Sequence, residues 1–447
     1  MKRQIQPRKS VFGVGLVLVV VLALHGCSRS KGPKIEGAEG APVILVSIDT
    51  LRSDRLPAYG YEEVETPHLD AFARDAITFD RAYSHTPLTL PSHASILSGK
   101  LPDEHGVRDN IGYDVPADLV TFLPRDLAAH GYRTGGAVSA YVLRGETGIG
   151  NGFEFFEDDI PFREGVAGGA MSRRGDETLE AARDWLHSVA DERFFFFFHL
   201  YEPHLPWEAP EPFATRFASP YDAEVAAADA VVGELMAELV DLGIYDDAII
   251  VVLSDHGEGL GDHGYVEHGF LLYREDIQVP LFLKLPGQQL GGTRQAADAQ
   301  LVDLYPTIAE LVGLRIDDSL PGCSLLRLPE CAGPDRAIYS ESFYARLHLG
   351  WSDQASLVQG DYHFIDGPDP ELYDLGKDPR ETTNILRDER RVYGEMRGKL
   401  EGFNRQLEPP MEVDEETRDR LAALGYLGSS QSDLEGPLPD PKGQLHT

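Results

Sequence analysis

The sequence predicts an α/β fold with a central, mainly parallel sheet and a small antiparallel subdomain at its C-terminal end. Short β-branched or aromatic runs recur at PVILVSIDT (42–50), RFFFFFHLYEPH (193–204) and AIIVVLSDHGEG (248–259). Runs of this length that end in polar residues suit strands buried on both faces of a parallel sheet. Helix-like stretches lie between them, including DETLEAARDWLHSVA (176–190) and YDAEVAAADAVVGELMAELVDLG (221–243). Strand–helix alternation makes an α/β core. After about residue 335, AIYSESFY, QASLVQGDYHFIDG and ELYDLGKDPRE read as short antiparallel strands with turn signals.

From the N-terminus, MKRQIQPRKS carries four basic residues and precedes the apolar run VFGVGLVLVVVLAL. A basic segment and an apolar segment of about 14 residues fit an export signal and are short for a membrane span of roughly 20. The run ends in Leu24-His25-Gly26-Cys27, which resembles a bacterial lipoprotein signal with Cys27 as the lipidated residue. Residues 1–27 are therefore expected to be a signal, and the body to be exported and lipid-anchored, periplasmic or on the cell surface. Residues 28–40 (SRSKGPKIEGAEG) read as a tether. The catalytic α/β domain is expected over 41–335, the C-terminal subdomain over 336–428 and a disordered tail over 429–447. With Cys27 acylated, Cys323 and Cys331 remain, and an oxidising compartment favours one local disulfide between them.

Composition narrows the partners. The 447 residues carry 40 basic and 74 acidic side chains, a formal charge of −34. No basic stripe is visible that could neutralise phosphates, so the chain is not expected to bind nucleic acid.

The chemistry-bearing residues gather where the predicted strands end, the place where sites form in α/β sheets. Asp49 ends the first run, His199 and His204 follow the second, and Asp255-His256 follow the third. Two carboxylates and an imidazole suit Zn or Mn and are tolerable for Ca or Mg. In SHTPLTLPSHASILSG (84–99) the hydroxyl of Thr89 can complete the set, with a metal that lowers its pKa and fixes it for attack. His199, His204, His263 and His268 lie in polar, Gly- or Pro-containing stretches. They are candidates to shuttle protons or to donate to developing oxyanion charge. The Phe194–Phe198 run reads as a buried strand, and Arg52–Asp54 as loop structure.

Five segments together resemble the sulfatase family of the alkaline-phosphatase-like superfamily. They are VILVSIDTLRSDRLPAYGYEEVETPHLDAFA, TLPSHASILSGKLPDEHGV, VVLSDHGEGLGDHG, VPLFLKLPG and ELYDLGKDPRETTN, in order from Val43 to Asn384. The resemblance implies an α/β sandwich, one divalent ion beside a covalent nucleophile, and sulfate or phosphate esters as substrates.

Residue by residue the chain departs from the family pattern. The family's Cys/Ser-x-Pro-Ser-Arg motif is Thr89-Leu90-Pro91-Ser92-His93 here, and a threonine would oxidise to a ketone rather than to formylglycine. The usual paired aspartates are Asp49-Thr50. A second signature starts at Gly131-Tyr132 and reaches Val138-Ser139-Ala140 without the expected Lys or His.

The surviving set Asp49, Thr89, Asp255 and His256 resembles the single-metal, threonine-nucleophile site of lipoteichoic acid synthases and phosphoethanolamine transferases. His204 falls where relatives place a histidine on the transferred group, and His268 near the family's later Lys or His. The expectation is an exported, metal-dependent hydrolase or phosphotransferase acting on phosphate or sulfate esters through Thr89. The alternatives are a sulfuric ester hydrolase working without formylglycine, and a binding pseudoenzyme that kept the fold and lost the chemistry.

Overall fold

The computed structural model describes Met1 and residues 35–160, 172–331, 333, 335–411 and 437–445. Residues 2–27 of the expected signal and most of the tether lie outside the described residues. The strands in chain order are β1 (Val43–Ile48), β2 (Ile77–Phe79), β3 (Ala82–Tyr83), β4 (Arg133–Ala137), β5 (Phe155–Glu157), β6 (Phe194–Leu200), β7 (Ile249–Leu253), β8 (Gln278–Val279), β9 (Leu281–Lys284), β10 (Arg294–Gln295) and β11 (Ala299–Gln300). They continue with β12 (Ile338–Ser342), β13 (Gln354–Gln359), β14 (Tyr362–Asp366) and β15 (Glu371–Asp374).

The main sheet has the order β10-β2-β9-β7-β1-β6-β4-β5. β7, β1, β6, β4 and β5 are parallel, and β9 joins β7 antiparallel. The three apolar runs of the sequence are thus the three central strands. Their alternation sorts them into two cores: Val43, Leu45, Phe195 and Phe197 face one, while Ile44, Val46, Phe196 and Phe198 face the other. The helices Thr89–Ser98 and Leu304–Val312 cover the first face, and Gly175–Ser188 and Pro220–Asp241 the second. Burial of both faces is why the strands read as unbroken apolar runs.

β12 to β15 form a separate antiparallel sheet, covered by the helix Arg390–Leu400 through Val392, Met396 and Leu400. The buried pair Arg108–Glu341 joins the two parts, with both carboxylate oxygens 2.6 Å from Nη1. Cys323 and Cys331 are disulfide-bonded.

Two expected flexible ends are ordered where described. Ala38, at the end of the predicted tether, is 3% exposed, and Glu36 N–H donates to Gln289 Oε1 at 3.1 Å. Within the predicted disordered tail, Ser352 N–H donates to the Pro439 carbonyl and Lys442 pairs with Glu371 at 2.8 Å. Composition pointed to polar, Gly/Pro-rich segments and could not show that the body offers partners for them.

Candidate metal centre and active site

Asp49 follows the end of β1 directly, at a turn where Thr50 takes a positive φ of 54°. That is an uncommon conformation for a β-branched residue and marks a backbone held in place by its surroundings. The Thr50 N–H faces Asp255 Oδ1 at 3.4 Å, and Leu51 N–H donates to Ser254 Oγ at 2.9 Å. The end of β1 is thereby stitched to the end of β7. Gly257 presses this loop against a neighbouring turn: a Cβ there would lie 1.9 Å from the Glu275 carbonyl oxygen.

Asp49, Asp255 and His256 are fully buried, and one ligand atom from each lies within 4.8 Å of the others. His256 Nε2 is 3.5 Å from Asp49 Oδ1 and 3.5 Å from Asp255 Oδ2. Its Nδ1–H donates to the Gly257 carbonyl at 3.0 Å, which fixes the tautomer and leaves the Nε2 lone pair facing the carboxylates. Metal-bound histidines commonly have this second hydrogen bond. Both Asp49 oxygens and Asp255 Oδ2 are buried without a hydrogen bond. Burial raises the pKa of both carboxyls, and at Asp255 the Asp49 charge adds to the rise. Burial lowers His256, but Asp255 and Asp49 outweigh it and raise the imidazole. Paired, unsatisfied carboxylate oxygens beside an oriented imidazole fit a divalent cation.

Thr89 opens the helix Thr89–Ser98, and its Oγ1 lies 3.3 Å from His256 Nε2. Leu90 N–H is taken by Asn110 Oδ1 at 2.8 Å. Ser92 Oγ donates to the Asp255 carbonyl at 2.8 Å.

His268 and His204 extend the cluster as a run of rings. The centroids of His256 and His268 are 4.6 Å apart, those of His268 and His204 4.9 Å, and Tyr201 stacks on His204 at 4.4 Å. His204 Nδ1–H donates to the Leu205 carbonyl at 2.5 Å. Burial pulls His204 down to about 3 and holds His268 well below the usual histidine value. A cleft of about 190 Å³ opens beside His204, lined by Arg173, Arg174, Tyr201, Glu202 and Glu224.

Glu258 and His93 belong to this neighbourhood and were not singled out as site residues from sequence. Glu258 Oε1 is 3.0 Å from His268 Nδ1, and burial pushes its carboxyl up to about 8. His93 stands where the motif has Arg and lies 3.6 Å from Asp255 Oδ2. The available signals were their places two residues past His256 and one past Ser92.

His263 is not brought into the cluster. Its φ of 50° sits in a tight turn that carries the ring away to Glu275, with which it forms an ion pair. The ring stacks on Tyr273 at 3.6 Å. Burial lowers its pKa, but Glu275 wins and raises it to about 9, so it is a charged anchor for the loop. Arg52 has a similar structural part: its guanidinium bonds the Glu258 and Gly259 carbonyls and pairs with Asp54 and Asp262. Ser139, in the place of the missing Lys or His, is spent on the His199 carbonyl at 2.8 Å.

The sulfatase family model matches residues 42–314, over half of the chain and all of the cluster. The chain belongs to the sulfatase family. A second model, N-sulphoglucosamine sulphohydrolase, C-terminal, matches residues 261–406. Among curated relatives, the N-acetylglucosamine-6-O-sulfatase of Bacteroides thetaiotaomicron is 24% identical over 83% of this chain and 86% of its own length. The arylsulfatase of Clostridium perfringens is 23% identical over 78% and 90%. In structure, the phosphonate monoester hydrolase of Agrobacterium radiobacter superposes with a TM-score of 0.66 at 22% identity, covering 84% of this chain and 98% of that one. Fold and family agree: this is a sulfatase-family hydrolase with an Asp/His group able to hold a metal.

Proposed function

We propose that this sulfatase-family protein hydrolyses phosphate esters through a covalent threonine intermediate at Thr89. The observation that carries the reading is the Thr89 hydroxyl 3.3 Å from His256 Nε2, beside carboxylate oxygens that have no other partner. Asp49, Asp255 and His256 would hold one divalent ion, which supplies a lowered hydroxyl pKa and charge neutralisation at the transferred group. Thr89 Oγ1, its proton given up to solvent, forms its bond to phosphorus as the bond to the leaving oxygen breaks in line. His268 is placed to protonate that oxygen from Nε2 while its Nδ1 draws on Glu258, the buried acid 3.0 Å away. His204, whose Nδ1–H is held by a backbone carbonyl, presents its remaining nitrogen toward the same group. Water, or an acceptor alcohol, then attacks the phosphothreonine and returns Thr89 to its hydroxyl form.

A second reading, sulfate-ester hydrolysis through unmodified Thr89, is favoured by the family model and by the sulfatases among the relatives. Parallel assays of an aryl sulfate, an aryl phosphate monoester and an aryl phosphodiester separate the two. Mass spectrometry of the peptide carrying Thr89 after rapid quench should show a phosphoryl adduct. An adduct absent under turnover conditions overturns the nucleophile. We also propose that the body is exported and anchored to a membrane through a lipid on Cys27.

A further inference from the structure

The cleft beside His204 carries a charge that the reaction at Thr89 does not use. Its described lining includes three glutamates, Glu202, Glu208 and Glu224, and two arginines, Arg173 and Arg174. Both arginines are matched by carboxylates of their own. Arg173 Nη1 pairs with Glu157 at 2.8 Å, while its Nε and Nη2 donate to Thr178 Oγ1 and the Val138 carbonyl. Arg174 meets both oxygens of Asp176 at 3.0 Å. The three glutamates therefore leave the cleft with an acidic excess.

Glu224 is the most buried of the three. It lies near the start of the helix Pro220–Asp241, is 5% exposed, and its Oε2 has no hydrogen-bond partner. A buried carboxylate oxygen without a partner is costly and calls for a group to meet it. Burial, reinforced by Glu202, pushes the Glu224 carboxyl up to about 8, and Arg174 counters only part of that rise. Glu202 is fixed in the same cleft, where its carboxylate accepts the Gly175 N–H at 3.1 and 3.2 Å. Tyr201, stacked on His204 at 4.4 Å, adds an aromatic surface, and Pro206 and Pro210 add apolar ones. Carboxylates and an aromatic face together suit an organic ammonium.

The same cleft lies on the open side of the proposed reaction centre. His93 and His199 are fully buried against Asp255, whereas His268 and His204 are only partly buried. An ester reacting at Thr89 thus extends past these two rings, and the cleft is where His204 leads. Resting on the reading that esters react at Thr89, we propose that the cleft is a subsite for a protonated amine carried by the substrate, with Glu224 as the carboxylate that receives it. The substrate class narrows to phosphate or sulfate esters whose organic part bears a free amine. An ammonium at Glu224 Oε2 supplies the charge that the protein's own side chains withhold.

The test reads binding without turnover, by calorimetric titration of the full chain carrying Thr89→Ala. The probes are ω-aminoalkyl phosphates with two to four carbons. Each is compared with the ω-hydroxyalkyl phosphate of the same length and the n-alkyl phosphate one carbon longer, and the matching sulfates are run in parallel. The tightest amine is expected to bind at least about tenfold more tightly than its alkyl counterpart. Equal binding of amine and alkyl esters in both series overturns the proposal, and so does a hydroxyl ester that matches the amine. Adding Glu224→Gln should erase the preference while the alkyl esters keep their affinity. A loss shared equally by every probe would give Glu224 a structural part and overturn its assignment. The series on the chain with Glu224 intact decides the matter even where the added variant does not fold. With wild-type protein, an amine preference in turnover without a Thr89 adduct counts against the nucleophile alone. An adduct formed with no amine preference counts against the cleft alone, and no binding by any ester overturns both readings.

Discussion

Ser92 Oγ donates to the Asp255 main-chain carbonyl at 2.8 Å, so the helix that begins at Thr89 is fastened to the loop carrying Asp255 and His256. The proposed nucleophile and two of the proposed ligands share this one buried bond. Ser92→Ala should cost about 1–3 kcal/mol by leaving that carbonyl without its partner. It should lower kcat about 10–100-fold with a smaller effect on KM, because a loosened helix misplaces the hydroxyl. Steady-state kinetics with a thermal melt check both.

Thr89→Ala should lower kcat/KM by at least about a thousandfold while the bound metal stays at the wild-type level. Thr89→Ser should retain the covalent intermediate, since it keeps the hydroxyl and removes only a methyl. Quench-flow with mass spectrometry reads the adduct, and metal analysis shows that the centre survives.

Chelation should abolish turnover and lower the melting temperature. An ion present at about 100 times its Kd contributes about 2.7 kcal/mol to stability. Without it, Asp49 and Asp255 are two buried carboxyls held next to each other. Asp255→Asn should therefore melt higher than wild type in chelator and lower than wild type with metal. Paired melts under the two conditions test this crossing.

Glu224 lines the cleft beside His204, and burial, reinforced by Glu202, pushes its carboxyl up to about 8. The folded form thus holds a proton that the unfolded chain releases near 4.5. Its contribution to stability is full below about 4.5 and falls as pH rises toward 8. Glu224→Gln should flatten the stability profile over that window, and denaturant melts from pH 4.5 to 8.5 measure it. A profile as steep as that of wild type would remove Glu224 as its source.

Gly257→Ala places a methyl 1.9 Å from the Glu275 carbonyl oxygen, an overlap with backbone that no side-chain rotation relieves. The loop must move, so stability should fall by about 1–3 kcal/mol and the metal should be held more weakly. Calorimetry and metal titration give the two numbers.

The sheet was legible because its central strands are buried on both faces and so appear as unbroken apolar runs, Phe194–Phe198 above all. The grouping of Asp49, Asp255 and His256 was legible because each lies within three residues of the end of such a run. His263 misled because its residue type and neighbours resemble those of His268, while a positive φ within the turn sends its ring to Glu275. Glu258 carried only its place two residues past His256 as a signal, since an acidic residue in an acidic chain looks like surface until burial sets it against His268. The ordered residues 437–445 were hidden for a related reason: composition describes a segment, and their partners Ser352 and Glu371 belong to another one.

The order β6-β1-β7 at the centre of the sheet also sets when the site can come into being. β1 pairs with strands that follow much later in the chain, and Leu51 reaches Ser254 across 203 residues. Pairing so distant in sequence closes slowly and gains little until both partners are present. During synthesis Asp49 emerges early and waits without its companions until the chain has passed His256. A product truncated before that point carries the Thr89 segment and the first carboxylate, yet lacks the other proposed ligands that would hold an ion against them. On the proposed mechanism, competence is in this way tied to the pairing of β1 with β7, and a chain that ends before it has no set of ligands to place beside the Thr89 hydroxyl.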